Sequence, residues 1–187
     1  MRVLFLGPER SPTLAHLIEI GEHVDFTAGP LDPDTVRRAQ PAFLVSHRYR
    51  HIIGPQVLEL VPDRAINLHI AYLPWNRGAD PNLWSWIDDT PKGVTIHYID
   101  EHVDTGDIIA QREVEFEHDE TLASSYARLE AEMLRLFVEQ WPLIRRGACE
   151  RRPQQGAGSM HRLADRQRVE HLLVAGWDTP VAAFGPS

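Results

Sequence analysis

Four short apolar runs open the chain, and a stretch of helical spacing separates each from the next. The runs are residues 2–6 (RVLFL), 23–28 (HVDFTA), 43–46 (FLVS) and 65–69 (AINLH). Between the first two, Ser11 and Pro12 read as an N-cap and first helical position ahead of Leu14, Leu17 and Ile18, with Gly21 as the stop. Residues 34–39, ahead of Pro41, and residues 54–61, with Val57, Leu58 and Val61 on one side, are expected as two further short helices. Strands and helices alternating through such short connections leave few topologies. A mostly parallel central sheet with helices on both faces, an α/β fold, is the expected class.

Two more strands are expected at residues 93–99 (GVTIHYI) and 107–116 (DIIAQREVEF). A long amphipathic helix follows, with Leu122, Tyr126, Leu129, Met133, Leu136, Phe137 and Ile144 at steps of three and four. Thr121 is its expected cap, Gly147 its close, and Pro142 a bend or end in its last turn. From Arg151 the chain turns polar and Gly-rich (RRPQQGAGS), as a linker or mobile loop would, and one short helical pattern follows beyond Asp165. The expected division is one domain over residues 1–150 and a C-terminal extension over 151–187.

Composition narrows the function. Of 187 residues 43% are apolar, enough to bury a core without staples. No apolar run approaches the roughly 18–20 residues of a membrane helix, and the run at residues 3–6 is too short for a signal peptide. The cytoplasm is the expected compartment, with no membrane partner. The single Cys149 excludes a disulfide framework and a thiolate cluster, and its polar surroundings (RRGACERRP) argue against a nucleophile. A net charge of −8 argues against nucleic acid as a partner.

The chemistry concentrates in NLHIAYLPWNRGADP, residues 67–81. In an open parallel sheet, ligands bind beyond the carboxyl ends of the strands. Asn67 and His69 stand at that end of the fourth run and, two residues apart on a strand, point to the same side. A loop with Pro74, Gly78 and Pro81 opens directly afterwards. The second concentration is DEHVDTGD, residues 100–107. Asp100 and Asp107 can be accounted for by turn formation alone. Asp104 can reach His69 if the two strands are neighbours. Amide, imidazole and carboxylate together supply an oxyanion donor, a proton carrier and an orienting anion, the set that acyl-type transfer needs.

These two stretches resemble the folate-dependent formyltransferases, which act on glycinamide ribonucleotide, methionyl-tRNA and nucleotide sugars. The resemblance rests on Asn-x-His, the Leu-Pro loop, and Thr-x-His followed by Asp-Thr-Gly, over about residues 44–111. LPWNRGADPNLWSW and TPKGVTIHYIDEHVDTGD are most similar to the sugar formyltransferases and to the formylation domain that opens some nonribosomal peptide synthetases. GSMHRLAD, residues 158–165, resembles the end of those catalytic domains.

The resemblance implies a Rossmann-like formyltransferase fold, a catalytic trio of Asn67, His69 and Asp104, and 10-formyltetrahydrofolate as the donor. It implies a pterin slot lined by Arg50, His51, Ile52 and Ile53 from one loop and by Ile99, Asp100, Glu101 and Val103 from another. No metal is expected, and His97 is expected as a hydrogen-bonded core histidine rather than a ligand. Trp75 and Arg77 are expected to contact the acceptor, one by its ring face and one by its charge, with one of Trp84 and Trp86 packing a short helix instead.

Where family members often have Pro-Ser after the histidine, this chain has Ile70-Ala71. The single glycine of GPERSPT argues against a glycinamide ribonucleotide acceptor, and the charge argues against tRNA. The acceptor is then a small primary amine: an amino sugar on a nucleotide, an amino acid derivative, or an aminoacyl group on a carrier protein. Its side of the site is expected to be covered by the tail after Arg151 or by a second subunit of a homodimer. Two other readings fit the same trio: a formyltetrahydrofolate hydrolase and a non-catalytic folate-binding module.

Overall fold

A computed structural model describes residues 1–117 and 119–184. In chain order the elements are β1 (Arg2–Leu6), α1 (Pro12–Glu19), β2 (His23–Thr27), α2 (Pro33–Ala39), β3 (Phe43–His47), α3 (Pro55–Leu58), β4 (Ala65–His69), β5 (Arg77–Gly78), α4 (Pro81–Ile87), β6 (Gly93–Tyr98), β7 (Ile108–Glu113), α5 (Leu122–Ile144) and β8 (Met160–His161). Four 3-10 turns, from Leu163–Arg168 to Val181–Phe184, follow among the described residues.

The central sheet has six strands in the order β2-β1-β3-β4-β6-β7. Its first four strands pair in parallel, and β6 runs antiparallel to both neighbours. The α/β, mostly parallel architecture is therefore as expected. β1 and β3 are nearly uninterrupted apolar runs because both faces are buried, whereas the edge strand β2 is largely exposed. Alternate residues divide between two cores. Val3, Phe5, Val45, Ile66 and Leu68 pack with Leu14 and Leu17 of α1 and with Leu129, Met133, Phe137 and Trp141 of α5. Leu4, Leu6, Leu44 and Ala65 pack instead with Val36 of α2 and Val57 of α3.

Element ends follow local chemistry. Asp32 caps α2 by accepting from the Thr35 N–H at 2.7 Å, so the helix begins at Pro33, one residue before the expected start. Thr121 and Ser124 form a reciprocal capping box at α5. α5 continues through Pro142 to Ile144, because Trp141 and Ile144 are buried on either side of the proline and anchor the last turn. α3 is a single turn, shorter than its apolar spacing suggests. No described helix is long and apolar enough to cross a membrane.

The largest departure from expectation lies after Arg151. The stretch that reads as a linker or mobile loop is docked. Arg152 exchanges backbone hydrogen bonds with Ile108 at 2.8 and 3.0 Å, and β8 pairs in parallel with β5 to form a second small sheet.

Phe137 is fully buried between α1 and α5, with its ring centroid 5.3 Å from that of Trp141. Replacing Phe137 with Ala should cost about 3–5 kcal/mol in urea unfolding, the usual range for emptying a core aromatic site.

Candidate active site

Strand parity places the candidate residues. Along β4, Ile66 and Leu68 enter the core under α5, so Asn67 and His69 face the other way, toward the side of α2 and α3. β6 lies beside β4 with His97 directly opposite Asn67, on the same face. β6 exits beside the start of β4, where the Ile99 N–H donates to the Ala65 carbonyl. The following turn must therefore double back over the sheet for Asp104 to reach Asn67. Two features allow this. Asp104 adopts a left-handed backbone conformation, φ +54°. Gly106 lies so close to the Tyr98 carbonyl that a Cβ there would stand 1.9 Å from its oxygen.

The three expected residues meet. Asn67 Nδ2 donates to Asp104 Oδ1 at 3.0 Å, and His69 Nδ1 stands 3.7 Å from Asp104 Oδ2. His69 Nε2 lies 2.9 Å from the Asn76 carbonyl oxygen, which assigns that nitrogen the proton and turns Nδ1 toward the carboxylate. His97 Nδ1 donates to the Tyr98 carbonyl at 2.7 Å, while its Nε2 lies 3.3 Å from Asn67 Nδ2 and 3.4 Å from Asp104 Oδ1. His97 is thus a buried, hydrogen-bonded histidine that also borders the site. The Gly78 N–H donates to Asp104 Oδ2 at 2.9 Å. Burial alone would raise the Asp104 pKa. The charge that His69 carries when protonated, the hydrogen bond and charge that His97 supplies when protonated, and the Gly78 N–H outweigh it and hold the carboxyl well below the usual carboxylate range.

Each of the two expected folate loops sends one residue to a single apolar cluster. Ile53 and Ile99 both pack against the apolar cluster beneath α2 and α3. Arg50, His51 and Ile52 are exposed, Ile52 at 74%. Asp100 is a turn former: its Oδ1 accepts from the Thr105 hydroxyl at 2.7 Å and from the His102 N–H at 3.1 Å. Glu101 is exposed and Val103 half-buried. Asp107 pairs with Arg151 at 3.1 Å.

The acceptor side differs from expectation in its details. Trp75 is partly exposed, as an acceptor contact requires. Arg77 is engaged within the protein: its Nε and Nη2 donate to Gln154 Oε1 at 3.0 and 2.7 Å. Both later tryptophans pack, rather than one. Trp84 stacks on His161 with centroids 3.9 Å apart, and Trp86 lies between Phe116 and Lys92. Asn76 is fully buried and pins the loop, donating from Nδ2 to Thr90 Oγ1 at 2.7 Å and from its backbone to Ser159 Oγ at 2.9 Å. Gln154 and Ser159 escape sequence reasoning, because isolated polar residues in a Gly-rich stretch carry no periodicity.

A six-stranded, mostly parallel sheet with an amide, an imidazole and a doubled-back carboxylate on one face defines a class of group-transfer folds. The family model described as formyl transferase matches residues 32–140, and the chain belongs to that family. Among solved structures it is similar to the formyltransferase PseJ from Anoxybacillus kamchatkensis, crystallised with UDP-4,6-dideoxy-4-formamido-L-AltNAc and tetrahydrofolate. That match has 47% identity and a TM-score of 0.94 over 98% of this chain and 97% of the other. Among curated proteins it is 32% identical to a methionyl-tRNA formyltransferase of Agathobacter rectalis, over 82% of this chain and 50% of the relative. It is 37% identical to a dTDP-4-amino-4,6-dideoxyglucose formyltransferase of Mycobacterium bovis, over 58% of this chain and 47% of the relative. The chain spans about half the length of these curated relatives.

A carboxyl whose pKa is lower in the folded chain contributes stability above its unfolded value of about 3.9, and that contribution is lost as the pH falls toward the folded value. Urea midpoints measured across the acid range should therefore fall more steeply for the wild type than for Asp104→Asn, whose amide does not titrate. Equal slopes would contradict the assigned environment.

Proposed function

We propose that this chain transfers a formyl group from 10-formyltetrahydrofolate to the primary amine of a small acceptor, and that the acceptor is an amino sugar carried on a nucleotide. The observation that carries the reaction is the convergence of Asn67 and His69 on Asp104, at 3.0 and 3.7 Å. The acceptor class is supported by the end-to-end likeness to PseJ, whose crystal holds a formylated UDP-sugar with tetrahydrofolate.

The residues divide the work as follows. An unprotonated amine attacks the formyl carbon, and negative charge develops on the formyl oxygen. Asn67 Nδ2 gives up its longer contact, 3.3 Å to His97, to hold that oxygen. Losing one such donor typically costs about 2.7–4 kcal/mol of barrier. His69 accepts the amine proton at Nδ1, where the imidazolium forms facing the Asp104 carboxylate. The bond from the formyl carbon to the folate N10 breaks, and the proton passes to that nitrogen. The net result is one formamide and tetrahydrofolate. Ile53 and Ile99 would offer apolar surface to the pterin, with backbone groups of the two loops to read its edge, and the partly exposed Trp75 would serve the acceptor.

The test is to incubate the purified chain with 10-formyltetrahydrofolate and a panel of amines that includes nucleotide-linked 4-amino sugars. Tetrahydrofolate release only with an amino sugar present is the expected result. Release without any amine would instead identify a hydrolase, and tight folate binding with no release would identify a binding module. In the active system, Asn67→Ala and Asp104→Asn should each lower kcat by about 10² or more, because each removes a group acting in the transition state. Near-normal rates in either variant would refute the catalytic roles of these two residues.

A further inference from the structure

The Asp104 turn is gripped from outside the expected trio. Gln154 Nε2 donates to two carbonyl oxygens of that turn, those of Asp104 at 2.8 Å and Gly106 at 2.9 Å. The other end of the same amide, Oε1, receives the two Arg77 bonds. An amide with a guanidinium on one side and two carbonyls on the other has only one satisfied orientation. Arg77 in turn precedes Gly78, whose N–H binds the Asp104 carboxylate. Asp104 is therefore held twice: by its backbone through Gln154 and by its side chain through Gly78.

The turn needs such a grip. Asp104 sits in the left-handed region, which a residue with a side chain leaves readily unless its surroundings fix it. On one side Gly106 abuts the Tyr98 carbonyl. The opposite side is closed by Gln154, delivered by a strap that is itself fastened at several points. Arg152 bridges to Ile108, Gly158 fits against the Pro74 carbonyl, Ser159 binds Asn76, and β8 pairs with β5.

We propose that Gln154 is a positioning residue for formyl transfer: it fixes the backbone of the Asp104 turn, and thereby the carboxylate against Asn67 and His69, while Arg77 orients its amide. This rests on the formyl-transfer reading above. It also gives Arg77 a role behind the site, in place of contact with an acceptor.

A residue that merely tethers the strap would behave differently, and Gln154→Glu separates the two roles. Glutamate still accepts from Arg77 and keeps the strap fastened, but it sets carboxylate oxygens against two carbonyl oxygens and cannot hold the turn. Gln154→Ala loses both contacts. The groups facing Asp104 are Asn67 and His69 from β4, His97 from β6 and the Gly78 N–H from β5. Asp107 of the same turn is engaged with Arg151. A loosened turn weakens the two histidine contacts, so kcat falls while the groups that bind the acceptor stay in place.

The experiment measures kcat and the acceptor KM for the wild type, Gln154→Ala and Gln154→Glu, each normalised to the fraction that binds tetrahydrofolate. Both variants should lose about 10²-fold in kcat, the scale of loss when a catalytic group is misplaced by about 1 Å. The acceptor KM should change little, a split between kcat and KM that a general loss of structure would not give. A Gln154→Glu enzyme as fast as the wild type, or one whose loss lies in the acceptor KM alone, would overturn the proposal. A wild type that binds folate but transfers to no amine would sink the formyl-transfer reading instead, and so the two failures are distinguishable.

Discussion

A carboxylate enclosed by protein without a lysine or arginine partner governs the architecture of the site. Asp104 pairs with no ammonium or guanidinium among the described residues, so its charge is met by an amide, a backbone N–H and two imidazoles. An unsatisfied charge in such surroundings is costly, and each of these four partners lies on a different strand position of β4, β5 or β6. The sheet edge, the loop after β4 and the turn after β6 must therefore be arranged together. Polar groups fixed in advance around a reacting centre need no reorganisation when charge appears there, which is what electrostatic stabilisation of a transition state requires.

The two faces of the sheet do different work. The face under α5 is apolar along its length, from Val3 and Phe5 to Ile66 and Leu68. On the other face α2 has seven residues and α3 four, and the apolar positions of β4 stop at Ala65. The next positions on that side, Asn67 and His69, are polar. Full burial of one face stabilises the strands, while the thinner cover on the other leaves the carboxyl end of β4 to the site residues.

Much of this is legible in the residues, for identifiable reasons. Strands buried on both faces appear as apolar runs, so β1, β3 and β4 announce themselves. Asn67 and His69 stand out because two polar groups follow such a run on the same parity. Asp104 is legible only on the condition that its strand neighbours β4, which the pairing of Asn67 with His97 meets. What escapes is whatever depends on distant partners. β5 and β8 are two residues each and pair across 83 positions, too short for periodicity to register. Gln154 binds the backbone of a remote turn, and a side chain that does so leaves no pattern in its own neighbourhood. The charge of Arg77 suggests a ligand for an anion, whereas its geometry joins one part of the protein to another.

The change of composition after residue 150 looks like a boundary between a domain and an extension. The hydrogen bonds cross it at the point where they matter most. Residues 32–140, matched by the family model, contain Asn67, His69 and Asp104 but neither Gln154, Ser159 nor β8. Without those later residues, the Asp104 turn loses the donor to its two carbonyls, and the backbone of Asn76, whose carbonyl faces His69, loses its partner Ser159. The likeness to PseJ, unlike the family match, runs through this strap to cover 98% of the chain. The unit that brings Asn67, His69 and Asp104 together is therefore the sheet together with its strap. Polarity and glycine content in the strap reflect the path it must take across the loops, close against Pro74 at Gly158, rather than freedom from the fold.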